Sequence, residues 1–364
     1  MKIVMFYHSL VSDWNHGNAH FLRGVAMEFI KRGHGVDIYE PHNGWSVSNL
    51  IATEGGEPLR EFRARFPSLK SKTYTIDKLD LDYALGGADL VLVHEWNDPA
   101  LVRRIGRHRF RTGAQYRLFF HDTHHRAVTA PEQMQQYDLS HYDGVLAYGD
   151  VLRDVYRRRK WAWRAWTWHE AADTSVFRIS RNGHFEGDVV WIGNWGDDER
   201  TEELQEFLIE PVKSLRLRAK VFGVRYPQRA LGMLRDAGIS YGGWLPNYRV
   251  PEIFSRFRVT LHVPRRPYVN ALPGIPTIRP FEALACGIPL VCSPWRDAEN
   301  LFQPGRDFLV ANNGSGMKRH LCALLSDKKM ARDLAERGLR TIRARHTCAH
   351  RVDELMSIIS EAEG

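Results

Sequence analysis

Cysteine is scarce in this chain and gathered at one end: Cys286, Cys292, Cys322 and Cys348 all lie in the last quarter, with no C-x-x-C spacing. That distribution excludes a disulfide-stapled scaffold and a cysteine-rich zinc site, and it fits a reducing compartment. Long apolar runs are missing too, since none reaches the roughly 18 residues a membrane-spanning helix needs. The stretch before His8 is too short for the apolar part of a secretory signal. A cytoplasmic location is therefore expected, with the inner face of a membrane as the other setting. The loop after the first apolar run lacks G-x-G-x-x-G, which argues against a dinucleotide site.

What is present is ordinary for a globular protein: 43% hydrophobic and 26% charged residues. Lys and Arg outnumber Asp and Glu by 51 to 43, an excess that favours anionic partners or marks a solvated basic surface. At 364 residues the chain is comfortable for two cores.

Two α/β series follow one another. The first opens with an apolar run over Lys2–Tyr7, then a segment over Ala19–Arg32 whose Phe21, Leu22, Val25, Phe29 and Ile30 share a helix face. Gly33 and Gly35 end that helix, and further buried strands are predicted over 36–39, 89–93, 118–120 and 144–148. Residues 41–80 show no clear period apart from a short basic helix over 59–66. The second series starts at Asp188–Ile192, after a linker expected over 183–187. It continues through strands near 220, 239 and 259 and ends in helical patterns over 314–344 and 349–359.

Polar residues at the carboxyl ends of parallel strands face the crevice where open sheets bind ligands. Glu95 is one, as an acceptor contact or base. His121, Asp122, His124 and His125 form another group, but no Cys or further ligand is spaced to complete a metal site, so no metal is expected. The Arg and Trp residues over 157–168 read as an edge strand after a basic helix end, as a lipid-facing patch, or as a stacking surface for nucleic acid.

The most informative stretch is RPFEALACGIPLV, residues 279–291. Ala283, Leu284 and Ala285 suit a packed helix, Gly287 ends it, and a buried strand follows. Glu282 is out of place there: a carboxylate on a packed helix costs desolvation unless a partner or ligand takes it, and a ribose diol can take both oxygens. Leu272–Ile278 is a rigid loop whose N–H groups suit a diphosphate, with Arg279 supplying charge. A plain Arg279–Glu282 ion pair is the alternative.

RPFEALACGIPLVCS over 279–293, followed by ENLFQPGRDFLV over 299–310, resembles the C-terminal signature of group 1 nucleotide-sugar glycosyltransferases. Within them it is most similar to the branch named for the spore-maturation protein CgeB. The resemblance implies an α/β chain of GT-B type, with two Rossmann-like domains facing across a cleft and a C-terminal helix packing back on the first domain. Residues 1–175 would form the acceptor side, 176–345 the donor side and 346–364 the returning helix.

On that likeness Glu282 holds the ribose, His121 reaches the donor sugar, and Asp122 orients His121. Asn194 and Arg200 lie in the loop set against the diphosphate, and Arg225 is a second phosphate contact. Trp244 and Leu245 stand beside the base, Gly274, Ile275 and Thr277 form the phosphate loop, and Gly17 and Asn18 face the phosphates or the acceptor. The family often has a second Glu where this chain has Gly274.

The implied activity is transfer of a sugar from a nucleoside-diphosphate sugar to an acceptor hydroxyl, with retention at the anomeric carbon. Arg200, Arg225 and Arg279 would take the place of a divalent ion. No cofactor beyond the donor is expected. The acceptor would be a glycan, a lipid or a small molecule, with peripheral membrane contact and no nucleic acid. The alternative is a nucleotide-sugar-binding or structural protein of a surface-assembly complex, without turnover.

Overall fold

Short runs of Val, Ile, Leu and Phe that are apolar on both faces pair as parallel strands, because helices cover both sides of such a sheet. A computed structural model describes residues 1–180 and 184–363, and the chain divides into two units. One unit is Met1–His169 with the segment from Cys348; the other is Glu170–Thr347.

In the first unit the strands are β1 (Lys2–Phe6), β2 (Gly35–Pro41), β3 (Ser71–Tyr74), β4 (Leu90–His94), β5 (Arg117–Asp122), β6 (Gly144–Ala147) and β7 (Ala165–Thr167). They lie in the order β3-β2-β1-β4-β5-β6-β7, all parallel. The chain leaves β1 toward β2 through helix α1 (Ala19–Lys31) and later returns to β4 on the other side. That reversal puts a switch point, and hence a crevice, at the carboxyl ends of β1 and β4. Between β2 and β3 the sequence without clear period folds into helices α2 (Trp45–Glu54) and α3 (Glu57–Arg65).

The C-terminal helix Cys348–Glu363 belongs to this unit and packs on α1 through buried Val352, Leu355, Ile358 and Ile359. Each such side chain contributes about 1.5–3 kcal/mol by leaving water. Polar contacts fix its register: Arg32 pairs with Asp353 at 2.6 Å, and the Trp168 indole donates to Arg351 O at 2.7 Å.

The second unit holds β8 (Gly187–Ile192), β9 (Ala219–Phe222), β10 (Ile239–Tyr241), β11 (Phe257–His262), β12 (Leu290–Cys292) and β13 (Leu309–Val310), parallel in the order β10-β9-β8-β11-β12-β13. Its core gathers Trp191, Val221, Leu261, Val291 and Leu321. Here the switch point lies between β8 and β11. The expected linker over 183–187 is corrected at its end: Gly187 opens β8, where a Cβ would sit 2.4 Å from the Phe257 ring. Gly183 lies outside the described residues.

Candidate functional site

At the carboxyl edge of the second sheet the loops after β8 and β9 are pressed together. Gly223 sits at φ +151°, and a Cβ there would lie 2.1 Å from Gly193 O. The Asn194 amide oxygen accepts from Val224 N at 2.9 Å, so this side chain ties the two loops. Gly223 N in turn donates to Gly243 O at 2.8 Å, which brings in the loop of Trp244 and Leu245. Both of those residues are half-buried, and the Trp244 indole N–H is buried with no hydrogen-bond partner.

Arg200 is held by backbone carbonyls alone. Its guanidinium donates to Val263 O at 2.8 Å, to Trp195 O at 3.4 Å and to Asn194 O, and it lies 5.1 Å from the Trp191 ring centroid. No carboxylate pairs with it among the described residues. Burial first, then Arg265 and Arg279 nearby, pull its pKa down from the usual value. Tyr226 and Glu199 oppose that pull, and Arg200 keeps its proton near neutrality. Arg225, at φ +60°, is more exposed and pairs with Asp197 at 2.8 Å.

His262, the last residue of β11, stands in the same positive field. Its Nε2 is 3.3 Å from Thr277 Oγ1, its buried Nδ1 has no partner, and burial with Arg200 and Arg279 lowers its pKa to about 3. Thr277 has φ +59° just before the helix Ile278–Ala285, and Gly274 has φ +96°. A Cβ on Gly274 would lie 2.6 Å from Glu299 Oε1, so glycine at 274 makes room for that carboxylate. Ile275 is buried and closes the turn on Leu272 O.

Glu282 is fully buried on the inner face of its helix and bound to Arg279. A second buried acid, Glu170, is close enough that burial and then Glu282 raise its pKa well above normal. Two carboxylates and one guanidinium thus share this interior, and Arg279 is committed to Glu282 in the unliganded chain.

In the first unit, β1, β4 and β5 are adjacent, and His8, His94 and His121 all fall at their carboxyl ends. With His16 from the following loop they form a cluster: ring centroids are 4.1 Å apart for His8–His16, 5.2 Å for His8–His94 and 5.4 Å for His94–His121. Burial holds all four neutral and lowers His8 and His121 to about 3. Both His121 nitrogens lack partners; the ring packs on Trp168 at 4.8 Å and Phe21 at 6.2 Å.

Asp122 does not orient His121. Successive residues on a strand point to opposite faces, and Asp122 instead accepts from Tyr156 Oη at 2.8 Å and His124 N at 3.0 Å. Glu95 is likewise engaged: Oε2 is bound to Arg126, whose guanidinium lies 3.8 Å from the Trp96 ring centroid. Burial raises the Glu95 pKa and Arg126 opposes that rise. Gly17 and Asn18 are half-buried in the turn before α1, where Asn18 O accepts from Leu22 N at 3.1 Å. Among the described residues no group of three or more His, Cys, Asp or Glu is arranged to hold a metal ion.

The structure therefore brings Asn194, Arg200, Thr277, Arg279 and Glu282 to the carboxyl edge of the second sheet, and Glu95, His121 and Asp122 to that of the first. Sequence reading missed His8, His16, His94, His262, Glu170 and Glu299. Only His8 and His94 carried a signal, as polar residues ending apolar runs.

Residues 200–357 match the sequence profile of a family described as glycosyl transferase-like. No curated protein sequence matches the chain. An alpha-glucosyltransferase in complex with UDP-glucose and DNA containing an abasic site superposes with a TM-score of 0.71 at 12% identity, over 99% of this chain and 98% of that one. The Anabaena protein HepE in complex with UDP gives 0.68 at 12% identity, over 99% and 100%. Sucrose-phosphate synthase from Thermosynechococcus elongatus gives 0.64 at 14% identity, over 99% and 98%. With two Rossmann-like parallel-sheet domains that match these structures along nearly their whole length, the chain has the GT-B glycosyltransferase fold, and its C-terminal part matches the glycosyl transferase-like family.

Proposed function

We propose that this protein transfers a sugar from a nucleoside-diphosphate sugar to an acceptor hydroxyl, with retention and without a metal ion. The observation that carries the reading is Arg200, a cation whose donors rest on main-chain carbonyls and which forms no ion pair among the described residues. A diphosphate supplies a partner of opposite charge. Structural neighbours in complex with UDP make UDP the first nucleotide to test. The resemblance to the CgeB-like branch supports the same assignment.

In this reading Glu282 exchanges part of its hold on Arg279 for the ribose hydroxyls, and Arg279 turns to the phosphates. Trp244 and Leu245 flank the base, and Glu299, lodged over Gly274, faces the donor sugar in place of an acid at 274. The bond from the anomeric carbon to the diphosphate oxygen breaks, and its electron pair leaves on the diphosphate, where Arg200, Arg279 and the loop before the 278–285 helix spread the charge. The acceptor oxygen bonds to the anomeric carbon on the same face and gives its proton to the departing phosphate oxygen. The family resemblance assigns His121 to the donor sugar.

UDP release from UDP-sugars, measured with purified protein and an acceptor panel, tests this. Glu282→Gln is expected to reduce turnover at least tenfold. Wild-type protein that binds UDP and turns over no donor would instead establish the non-catalytic alternative. Peripheral membrane contact rests on Trp163, which is 89% exposed beside Arg159, Lys160 and Arg164. Sedimentation with anionic vesicles that survives in Trp163→Ala would remove that element.

A further inference from the structure

Between β2, the loop after β1 and helices α2 and α3 lies a cavity of about 580 Å³, within the usual range for small-molecule sites. Val11, Val47, Leu59, Phe66 and Leu69 supply the apolar part of its wall, and His42, Asn43, Ser71 and Thr73 a polar part. One buried charged group reaches it. Glu40 is 3% exposed, and its Oε1 accepts from Leu10 N and, at 3.2 Å, from Val11 N, whereas Oε2 makes no hydrogen bond of normal geometry. Burial raises the pKa of this carboxyl, while Ser71 on the cavity wall, the two amides and Arg23 work to keep it ionised.

The nearest guanidinium does not answer that need. Arg23 pairs with Asp13 at 3.0 Å and is otherwise occupied by Leu10 O and Val11 O. An acceptor oxygen turned toward an apolar hollow, with its sister oxygen satisfied, asks for a donor from a ligand. At the mouth stand Arg63 and Lys70, both exposed. The charge pattern runs from an acceptor inside to cations outside.

We propose that this cavity binds a small molecule with an apolar body, a hydroxyl at the buried end donating to Glu40, and an anionic group at the mouth beside Arg63 and Lys70. The site stands whether or not the chain transfers sugar, since no residue of the second unit takes part. Because Glu40 also anchors Leu10 and Val11, occupancy is felt along the loop that continues to His16, Gly17 and Asn18.

The test uses 6-hydroxy-2-naphthoate as probe and 6-methoxy-2-naphthoate, which cannot donate, as control, with binding followed by calorimetry on the full chain. The hydroxy compound is expected to bind about tenfold more tightly than the methoxy compound, the worth of one hydrogen bond to a charged acceptor. In Glu40→Gln the amide oxygen keeps Leu10 and Val11 while the NH2 group turns to the cavity, so this preference is expected to vanish. Val47→Trp, which fills the hollow without touching Glu40, is expected to abolish binding of both compounds. Equal affinities in the wild type, a preference that persists in Glu40→Gln, undiminished binding in Val47→Trp, or no binding at all would overturn the proposal. UDP affinity measured alongside separates this result from that of the donor site.

Discussion

Glu282 and Arg279 form a buried ion pair, and the proposed function asks the same two side chains to serve the donor in turn. A carboxylate buried against a single guanidinium is strongly destabilised when that partner is removed, so Arg279→Ala is expected to lower stability by about 3 kcal/mol or more, read as the denaturant midpoint. Glu282→Gln keeps the packing and is expected to weaken UDP binding while leaving that midpoint within about 1 kcal/mol of wild type. The histidine cluster makes a prediction of opposite kind. Burial lowers His8 and His121 to about 3 and lowers His16 and His94 in the same direction, so their contribution is complete above the unfolded imidazole value of about 6.5 and is progressively lost as pH falls below it. Arg126 and Arg23 face the cluster and hold it neutral, and the raised acids Glu95 and Asp122 titrate in the opposing sense. The difference between variants isolates the effect: His121→Phe should lose about 2 kcal/mol less than wild type between pH 6.5 and 5. Parallel pH profiles would show that His121 titrates alike in the folded and unfolded chain.

Among the elements, the tightest constraint is the seam between the loops after β8 and β9. Gly223→Ala places a methyl group inside van der Waals contact of Gly193 O, at a φ that L-residues rarely adopt, so a loss of at least about 2 kcal/mol is expected together with impaired UDP binding. Gly232→Ala, on an open helix surface, is the control and should be neutral or slightly stabilising. Sequence reading located the strands well where apolar runs were bounded by glycine or by polar ends, as at Lys2–Phe6 and Leu90–His94. It placed one helical pattern over 314–344, where the structure has Gly314–Ser326 and Lys328–Arg345, divided by Asp327 capping Lys329 N and Met330 N. In 41–80 it found only the short helix over 59–66, which is α3, and left α2 unread because that helix buries just Ser46 and Leu50 and covers a cavity rather than a core. Arg279 and Glu282 were singled out from one motif, and Arg200 from its place in the loop after β8. The histidine cluster was not, because sheet order, which brings β1 beside β4 and β4 beside β5, is absent from a linear pattern.

At the scale of the molecule the two units have separate cores, so calorimetry is expected to resolve two transitions, with UDP raising only the one that belongs to residues 170–347. A single transition displaced as a whole by UDP would show that the units unfold together. Leu355→Ala, in the C-terminal helix, should lower the other transition by about 2–5 kcal/mol of stability without affecting UDP affinity. The same helix sets an order of assembly. Helix α1 is made before the second unit and the helix Cys348–Glu363 after it, so α1 waits with an uncovered apolar face while the whole intervening unit is made. A chain that stops short of this helix leaves that face open to chaperones and proteases, and the position of one helix thereby makes survival of the polypeptide depend on synthesis passing beyond the second unit.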